Sequence, residues 1–126
     1  MTVIRDHEAR RSETGGGVMT TFASPTQGGA SRSVWRVEAK AGVAGPRHDF
    51  DREQVWTWLT GTAAVELGDE RFDVRPGDTV IMPAHTARQV TAGAEAGYTA
   101  VVTAPAGARA LAADGGDAFG VPPWIA

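Results

Sequence analysis

The 126-residue sequence contains no cysteine, which excludes disulfides and thiolate metal sites. The net charge of -3 argues against a nucleic-acid-binding surface, because such a surface needs clustered basic residues. No apolar run approaches the roughly 18 residues that a membrane helix requires. Residues 1–11 are charged and lack the apolar core of a secretory signal. We therefore expect a cytoplasmic protein that binds neither nucleic acid nor membrane.

Short apolar stretches separated by turn residues make up most of the chain. In residues 33–40, Trp35, Val37 and Ala39 alternate with their neighbours at the period of a half-buried strand. Gly68 and Asp69 form a hairpin turn signal between two such stretches. The predicted strands are residues 18–23, 33–40, 54–59, 62–67, 71–74, 79–82, 88–91 and 98–104. Short strands with frequent turns predict an all-β antiparallel sandwich or barrel.

Three regions differ in composition. Residues 1–17 are polar and end in three glycines, so we expect a flexible N-terminal arm. Residues 18–113 contain the predicted strands and form the barrel domain. Residues 114–126 are rich in glycine, and Trp124 follows two prolines there; we expect it to hold this tail against the barrel or a partner subunit.

Two spaced motifs lie between residues 42 and 92. The first motif consists of Gly42, five residues, His48, one residue, Phe50, three residues, Gln54, six residues and Gly61.

The second motif consists of Gly77, five residues, Pro83, one residue, His85, two residues, Arg88, three residues and Ala92. The spacing of both motifs resembles that of the small single-domain, RmlC-like cupins over about residues 33–104. The resemblance implies a double-stranded β-helix, or jelly-roll barrel, and a metal held by residues at positions 48, 50, 54 and 88. Of these four expected ligands only His48 is kept.

The replaced ligands change the chemistry that the frame can support. Phe50 offers no donor atom, and Gln54 keeps a carbonyl oxygen without a charge. Arg88 stays protonated and offers donors only, so at a metal position it would repel a divalent cation and attract an anion such as an enolate. The alternative for Arg88 is a structural ion pair with Asp51 or Glu53. We predict His48, Arg88 and Gln54 as catalytic residues.

Several apolar residues are predicted to line the same cavity, although an ordinary core would explain some of them. The predicted substrate-binding residues are Phe50, Trp35, Trp56, Trp58, Met82 and His85. Aromatic walls suit a flat, ring-bearing ligand. Gln54 shares the strand parity of Trp56 and Trp58, so we expect it to face inward with them.

Three functions are compatible with these residues. The favoured one is a metal-independent cyclase, isomerase or dehydratase, with His48 as acid or base and Arg88 as the oxyanion donor. A single lysine against eleven arginines indicates GC-rich coding. With the resemblance, that composition implies bacterial specialised, polyketide-like metabolism.

The second function is a metal-dependent dioxygenase or isomerase that uses His48, Gln54 and His85 to hold Fe, Ni, Mn or Zn. The third is a non-catalytic small-molecule-binding protein. In each case we expect a small-molecule ligand and a homodimer, in which the strand at residues 18–23 would pair across subunits.

Overall fold

The computed structural model describes residues 2–126 and contains twelve strands, most of which alternate apolar and polar side chains. The strands are β1 (Arg10–Thr14), β2 (Gly17–Ala23), β3 (Arg32–Ala39), β4 (His48–Phe50), β5 (Gln54–Gly61), β6 (Ala63–Leu67), β7 (Glu70–Val74), β8 (Thr79–Met82), β9 (Arg88–Ala92), β10 (Tyr98–Pro105), β11 (Ala110–Ala112) and β12 (Ala118–Gly120). A short 3-10 helix, Asp6–Glu8, precedes them. All eight predicted strands are present, with ends within two residues of the predicted ones.

The strands form two six-stranded antiparallel sheets. One sheet has the order β1-β2-β3-β10-β5-β8, and the other has the order β12-β11-β4-β9-β6-β7. Strands distant in sequence are neighbours in both sheets, since β10 lies between β3 and β5 and β4 lies between β11 and β9. This arrangement confirms the predicted all-β jelly-roll fold. Among residues 2–126 no helix is long and apolar enough to cross a lipid bilayer.

The core lies between the sheets and is built by the inward side chains of each strand. In β3 every second residue is buried, including Trp35, Val37 and Ala39, as the alternation predicted. The opposing sheet contributes residues such as Val65 and Val90 to the same apolar cluster. Burial of these apolar surfaces supplies most of the driving force for folding, at about 25 cal/mol per Å² removed from water.

Two glycines let the turn before β10 approach its neighbours closely. Gly61 has a φ of 72°, and a Cβ there would collide with the carbonyl oxygen of Gly97. Gly97 has a φ of 69°, and its added Cβ would collide with the carbonyl oxygen of Ala39. Only glycine adopts this conformation freely and leaves the space open. The close approach places Tyr98, the first residue of β10, opposite both Gly61 and Ala39.

The polar segment predicted as a flexible arm contains an ordered strand. Residues 10–14 form β1, which pairs along its whole length with β2. Strand β1 lies at the edge of its sheet and carries mostly polar residues, so the apolar alternation that reveals other strands is absent. The three-residue strands β4, β11 and β12 also escaped prediction, because a period of two cannot be recognised over three residues.

The strand predicted to pair across subunits cannot do so. Strand β2 has β1 on one side and β3 on the other, so both of its hydrogen-bonding edges are occupied. The expectation overlooked β1, which covers the edge that β2 would otherwise expose. The predicted homodimer therefore needs a different surface.

Candidate functional site

A cavity of about 420 Å³ opens between the two sheets. Six of the nine aromatic residues in the chain line it: Trp35, Phe50, Trp56, Tyr98, Phe119 and Trp124. Among its polar lining residues are His48, Gln54 and Arg88. Concave, mostly aromatic surfaces with a few polar groups are typical of small-molecule sites.

His48 opens strand β4 and is held by the backbone just before it. Its Nδ1 lies 2.8 Å from the carbonyl oxygen of Pro46. Because a carbonyl oxygen can only accept a hydrogen bond, Nδ1 carries the proton in the neutral ring. Nε2 is then the nitrogen with a free lone pair. The imidazole also makes an edge contact with the ring of Phe50, at a centroid distance of 5.0 Å.

Arg88 opens strand β9 and lies directly opposite His48 in the register of β4 and β9. Its side chain is only 2% exposed. Nε donates to the carbonyl oxygen of Thr86 at 3.2 Å, and Nη2 donates to the carbonyl oxygens of Pro83 and Thr86 at 2.9 Å each. These backbone acceptors hold the guanidinium plane in one orientation beside the cavity.

The ion-pair partner of Arg88 is Asp49, and not Asp51 or Glu53. Asp49 is 3% exposed, and its Oδ1 lies 3.6 Å from Nη2 of Arg88. The same Oδ1 accepts the backbone N–H of Phe50 at 2.6 Å. Asp51 instead pairs with the exposed Arg109. Asp49 thus balances the charge of Arg88, and the buried pair brings guanidinium donors to the cavity without a net charge.

Burial and neighbouring charges shift the pKa values of both His48 and Arg88. Burial lowers the pKa of His48, and the cation of Arg88 lowers that pKa further, while the Pro46 bond and Asp49 act in the opposite direction. Burial also lowers the pKa of Arg88 to about 10, against the attraction of Asp49. At neutral pH the site therefore holds a neutral imidazole beside a charged guanidinium.

Two donors fix the amide of Gln54. The indole Nε1 of Trp56 donates to its Oε1 at 3.0 Å, and Nη1 of Arg88 approaches the same oxygen at 3.4 Å. Neither an indole N–H nor a guanidinium can accept, so the amide atom facing both must be the oxygen. The amide nitrogen is left with its two donors available, on a residue that lines the cavity.

The structure brings most of the predicted site residues to one cavity and separates three from it. His48, Gln54 and Arg88 line the cavity with Phe50, Trp35 and Trp56. Trp58 and Met82 are fully buried and do not line it. Trp58 stacks on Trp56 at 5.4 Å behind the cavity wall.

His85 also lies apart from the cavity, exposed in the turn between β8 and β9. It is the one non-glycine residue of the described chain with a positive φ, at 58°. The cupin motif usually has glycine at this position, so the backbone keeps the glycine conformation although the residue has changed. Histidine is among the residues that adopt this conformation more readily than most.

Several residues of the site were not predicted from sequence. Pro46 orients His48, and Asp49 balances Arg88. Tyr98, Phe119 and Trp124 complete the aromatic wall from later parts of the chain. The proline next to the His motif was a possible signal, but the contacts of the other residues depend on the folded arrangement of distant segments.

The four positions that hold metal in typical cupins do not fit a divalent metal here. Phe50 supplies a ring, and Arg88 supplies only donors. The oxygen of Gln54 already receives two N–H groups. Within the described part of the chain, no group of three His, Asp or Glu side chains is arranged to hold a metal ion.

Solved structures of several different proteins share this fold. The polyketide cyclase RemF from Streptomyces resistomycificus aligns with a TM-score of 0.72 and 16% identity, over 97% of this chain and 86% of that chain. KdgF from Halomonas sp. aligns with a TM-score of 0.68 and 20% identity, over 83% of this chain and 94% of that chain. Oxalate decarboxylase from Bacillus subtilis aligns with a TM-score of 0.70 and 17% identity, over 79% of this chain.

These likenesses establish the fold. This chain spans only 28% of the length of the oxalate decarboxylase. No curated protein sequence matches it significantly. Residues 34–104 match the sequence profile of the cupin domain, which is more than half of the chain. The two motifs, the jelly-roll sheets and this match together place the protein in the cupin family.

Proposed function

We propose that the protein is a metal-independent cupin enzyme that enolises a small, partly aromatic carbonyl compound, as cyclases, isomerases and dehydratases do. The single observation that supports the proposal most strongly is the fixed Gln54 amide. Gln54 and His48 line the same cavity, and within the described residues the amide nitrogen of Gln54 and Nε2 of His48 make no hydrogen bond. The site thus pairs one proton acceptor with hydrogen-bond donors and has the parts needed to form an enolate.

The proposed first step removes a proton next to a carbonyl group. Nε2 of His48 takes the proton, the electron pair of the C–H bond forms the new C=C bond, and the carbonyl π electrons move to oxygen. The N–H groups of Gln54 and Arg88 stabilise the resulting enolate oxygen. One guanidinium N–H on Nη1 is free for this bond, because the other four reach Thr86, Pro83 and Gln54.

Three outcomes are possible from the enolate, and none requires an oxidant. If the His48 imidazolium returns its proton to a different carbon, the substrate is isomerised. If it protonates a leaving hydroxyl group, water departs and the substrate is dehydrated. If the enolate carbon attacks a second carbonyl of the same substrate, a C–C bond forms, the π electrons of that carbonyl move to its oxygen, and this oxygen takes the proton from the His48 imidazolium as the ring closes. The fold shared with the cyclase RemF is compatible with each outcome but selects none of them.

Hydrogen–deuterium exchange of 2-tetralone in D2O tests the shared enolisation step. This flat bicyclic ketone has exchangeable protons beside its carbonyl group, and NMR follows their loss. We expect the wild-type protein to accelerate the exchange in the presence of a chelator, and the His48→Ala variant to lose the acceleration. Lys40→Ala is the matched control, since Lys40 lies outside this cavity.

Metal analysis by mass spectrometry of the wild type and His48→Ala, purified without chelators, completes the test. Exchange that stops on chelation, with about one equivalent of metal lost in His48→Ala, would overturn the proposal in favour of a metal-dependent cupin. Tight ligand binding without any exchange would overturn it in favour of a binding protein.

A further inference from the structure

The C-terminal segment carries an aromatic side chain to the rim of the cavity. Phe119 is 69% exposed and yet lines the cavity. An exposed aromatic ring at the edge of a cavity is placed to contact a ligand that enters the cavity. Neither cupin motif includes this segment, so its contribution is independent of the His48 and Arg88 chemistry.

The backbone at Phe119 contains a β-bulge, which changes the direction of the side chain. Strand β12 is the edge strand of its sheet, and its two pairs with β11 are Leu111 with Ala118 and Ala110 with Gly120. Phe119 falls between them at the shift in register and has no partner. A bulge of this kind changes the direction of a side chain on an edge strand, and bulges are frequent beside functional sites.

The segment is anchored on both sides of the bulge. Before it, the N–H of Ala112 donates to the carbonyl oxygen of Asp117 at 2.8 Å. After it, the carbonyl oxygen of Trp124 accepts from the hydroxyl of Thr21 at 2.7 Å, and Ile125 is fully buried. Gly120, with a φ of 84°, follows Phe119 directly. The anchors fix the position of β12, while Phe119 itself stays free of the ladder.

We propose that Phe119 is a specificity-determining residue that packs its ring on the ligand and selects planar, ring-bearing compounds. The inference rests on the proposed function only in that the cavity takes an anionic or enolisable ligand. Trp124, which is half-buried and lines the same cavity, lies on the same segment and extends the aromatic surface. Stacking on aromatic rings favours flat ligands over puckered ones of equal charge.

Two carboxylates of different shape test the inference by calorimetry. 1-Naphthoate is flat and aromatic, whereas cyclohexanecarboxylate is puckered. We expect Phe119→Ala to weaken naphthoate binding roughly tenfold and cyclohexanecarboxylate binding less than about twofold. Phe119→Trp should retain naphthoate affinity. Val121→Ala is the matched control, because Val121 is exposed on the same segment and does not line the cavity.

The outcomes separate this inference from the proposed function. Naphthoate binding that is unchanged in Phe119→Ala but lost in Arg88→Met would overturn the role of Phe119 and leave the proposed site intact. Equal losses for both carboxylates would overturn selection by shape. A wild-type protein that binds neither carboxylate would overturn the anionic ligand class and this inference together. A change of oligomeric state in Phe119→Ala with unchanged affinities would assign the ring to a subunit contact instead.

Discussion

His48 and Arg88 lie directly opposite each other in the antiparallel register of β4 and β9. Directly opposed residues have their side chains on the same face, with Cβ atoms about 5 Å apart. The family frame uses both positions for metal ligands, whereas this chain places a base beside a cation. The imidazole is therefore neutral at neutral pH, because burial lowers the pKa of His48 and the guanidinium of Arg88 lowers it further.

The protonation of His48 should respond in opposite directions to its two charged neighbours. Burial and Arg88 lower the pKa of His48, and Asp49 raises it. We expect a pKa below about 6.5 in the wild type, a higher value in Arg88→Met and a lower value in Asp49→Asn. NMR titration of the imidazole measures each value. Arg36→Met on the other sheet is the control, and a fall in Arg88→Met would contradict the prediction.

The same lowered pKa has a defined effect on stability. A folded state with a depressed histidine pKa binds fewer protons than the unfolded state in mildly acidic solution. The free energy of unfolding should therefore fall as the pH drops below about 6.5 and stop falling below the folded-state pKa. His48→Phe removes the titrating group, and chemical denaturation at several pH values should show a weaker dependence. An equally steep dependence in His48→Phe would contradict the prediction.

The amide nitrogen of Gln54 should be needed for anion binding. Gln54→Glu keeps an oxygen for Trp56 and Arg88 but replaces the free donors with an acceptor and a negative charge. We expect 1-naphthoate affinity to fall at least about tenfold by calorimetry. Trp56→Phe keeps the amide but removes one of the donors that orient it, so its loss should be smaller, about fivefold. Equal affinity of wild type and Gln54→Glu would exclude the amide as a donor.

The Asp49–Arg88 pair should be coupled in stability. Both side chains are at most 4% exposed, and removing one partner leaves a buried charge uncompensated. We expect Asp49→Leu to lower the free energy of unfolding by about 3 kcal/mol. The double variant Asp49→Leu, Arg88→Met should lose less than the sum of the single losses.

Chemical denaturation of the wild type, the two single variants and the double variant measures this coupling. The exposed pair of Arg71 and Glu66 is the control. Arg71 lies 3.2 Å from Glu66 but is 71% exposed, so Arg71→Ala should cost less than about 1 kcal/mol. Additive losses in the Asp49 and Arg88 cycle would mean that the 3.6 Å pair contributes no specific coupling.

Replacing His85 separates the metal-free and metal-dependent alternatives. The residue has a φ of 58°, which glycine adopts without strain, so His85→Gly should stabilise the protein by about 1 kcal/mol or leave it unchanged. Because His85 lies outside the cavity, exchange of 2-tetralone should continue at the wild-type rate. NMR and thermal denaturation give both quantities. Loss of exchange together with loss of bound metal would support His85 as a ligand.

Features that depend on neighbouring residues could be predicted from the sequence, and features that depend on distant residues could not. Alternation and turn signals are local, and they located eight of the nine strands longer than three residues, missing only the polar β1. Motif spacing is also local, and its glycines Gly42, Gly61 and Gly77 all have a positive φ in the structure. These signals sufficed for the fold class and for the positions of His48, Gln54 and Arg88 along the chain.

The partners of those residues depended on contacts between distant segments. Asp51 and Glu53 carry the same charge as Asp49, and only the folded arrangement brings the carboxylate of Asp49 to Arg88. Phe119 and Trp124 follow the motifs by more than twenty residues, and Phe119 reaches the cavity because β11 pairs with β4 on one side and with β12 on the other.

The sequence by itself thus determined a small cupin whose usual metal ligands are replaced, because strand periodicity and motif spacing are properties of neighbouring residues. The tertiary structure alone decided that Pro46 directs Nδ1 of His48, that Trp56 and Arg88 fix the amide of Gln54, and which aromatic rings line one cavity. Hydrogen-bond direction and side-chain packing depend on the folded backbone, so even the contacts of Pro46 with His48 and of Trp56 with Gln54, each two residues apart, did not follow from spacing alone.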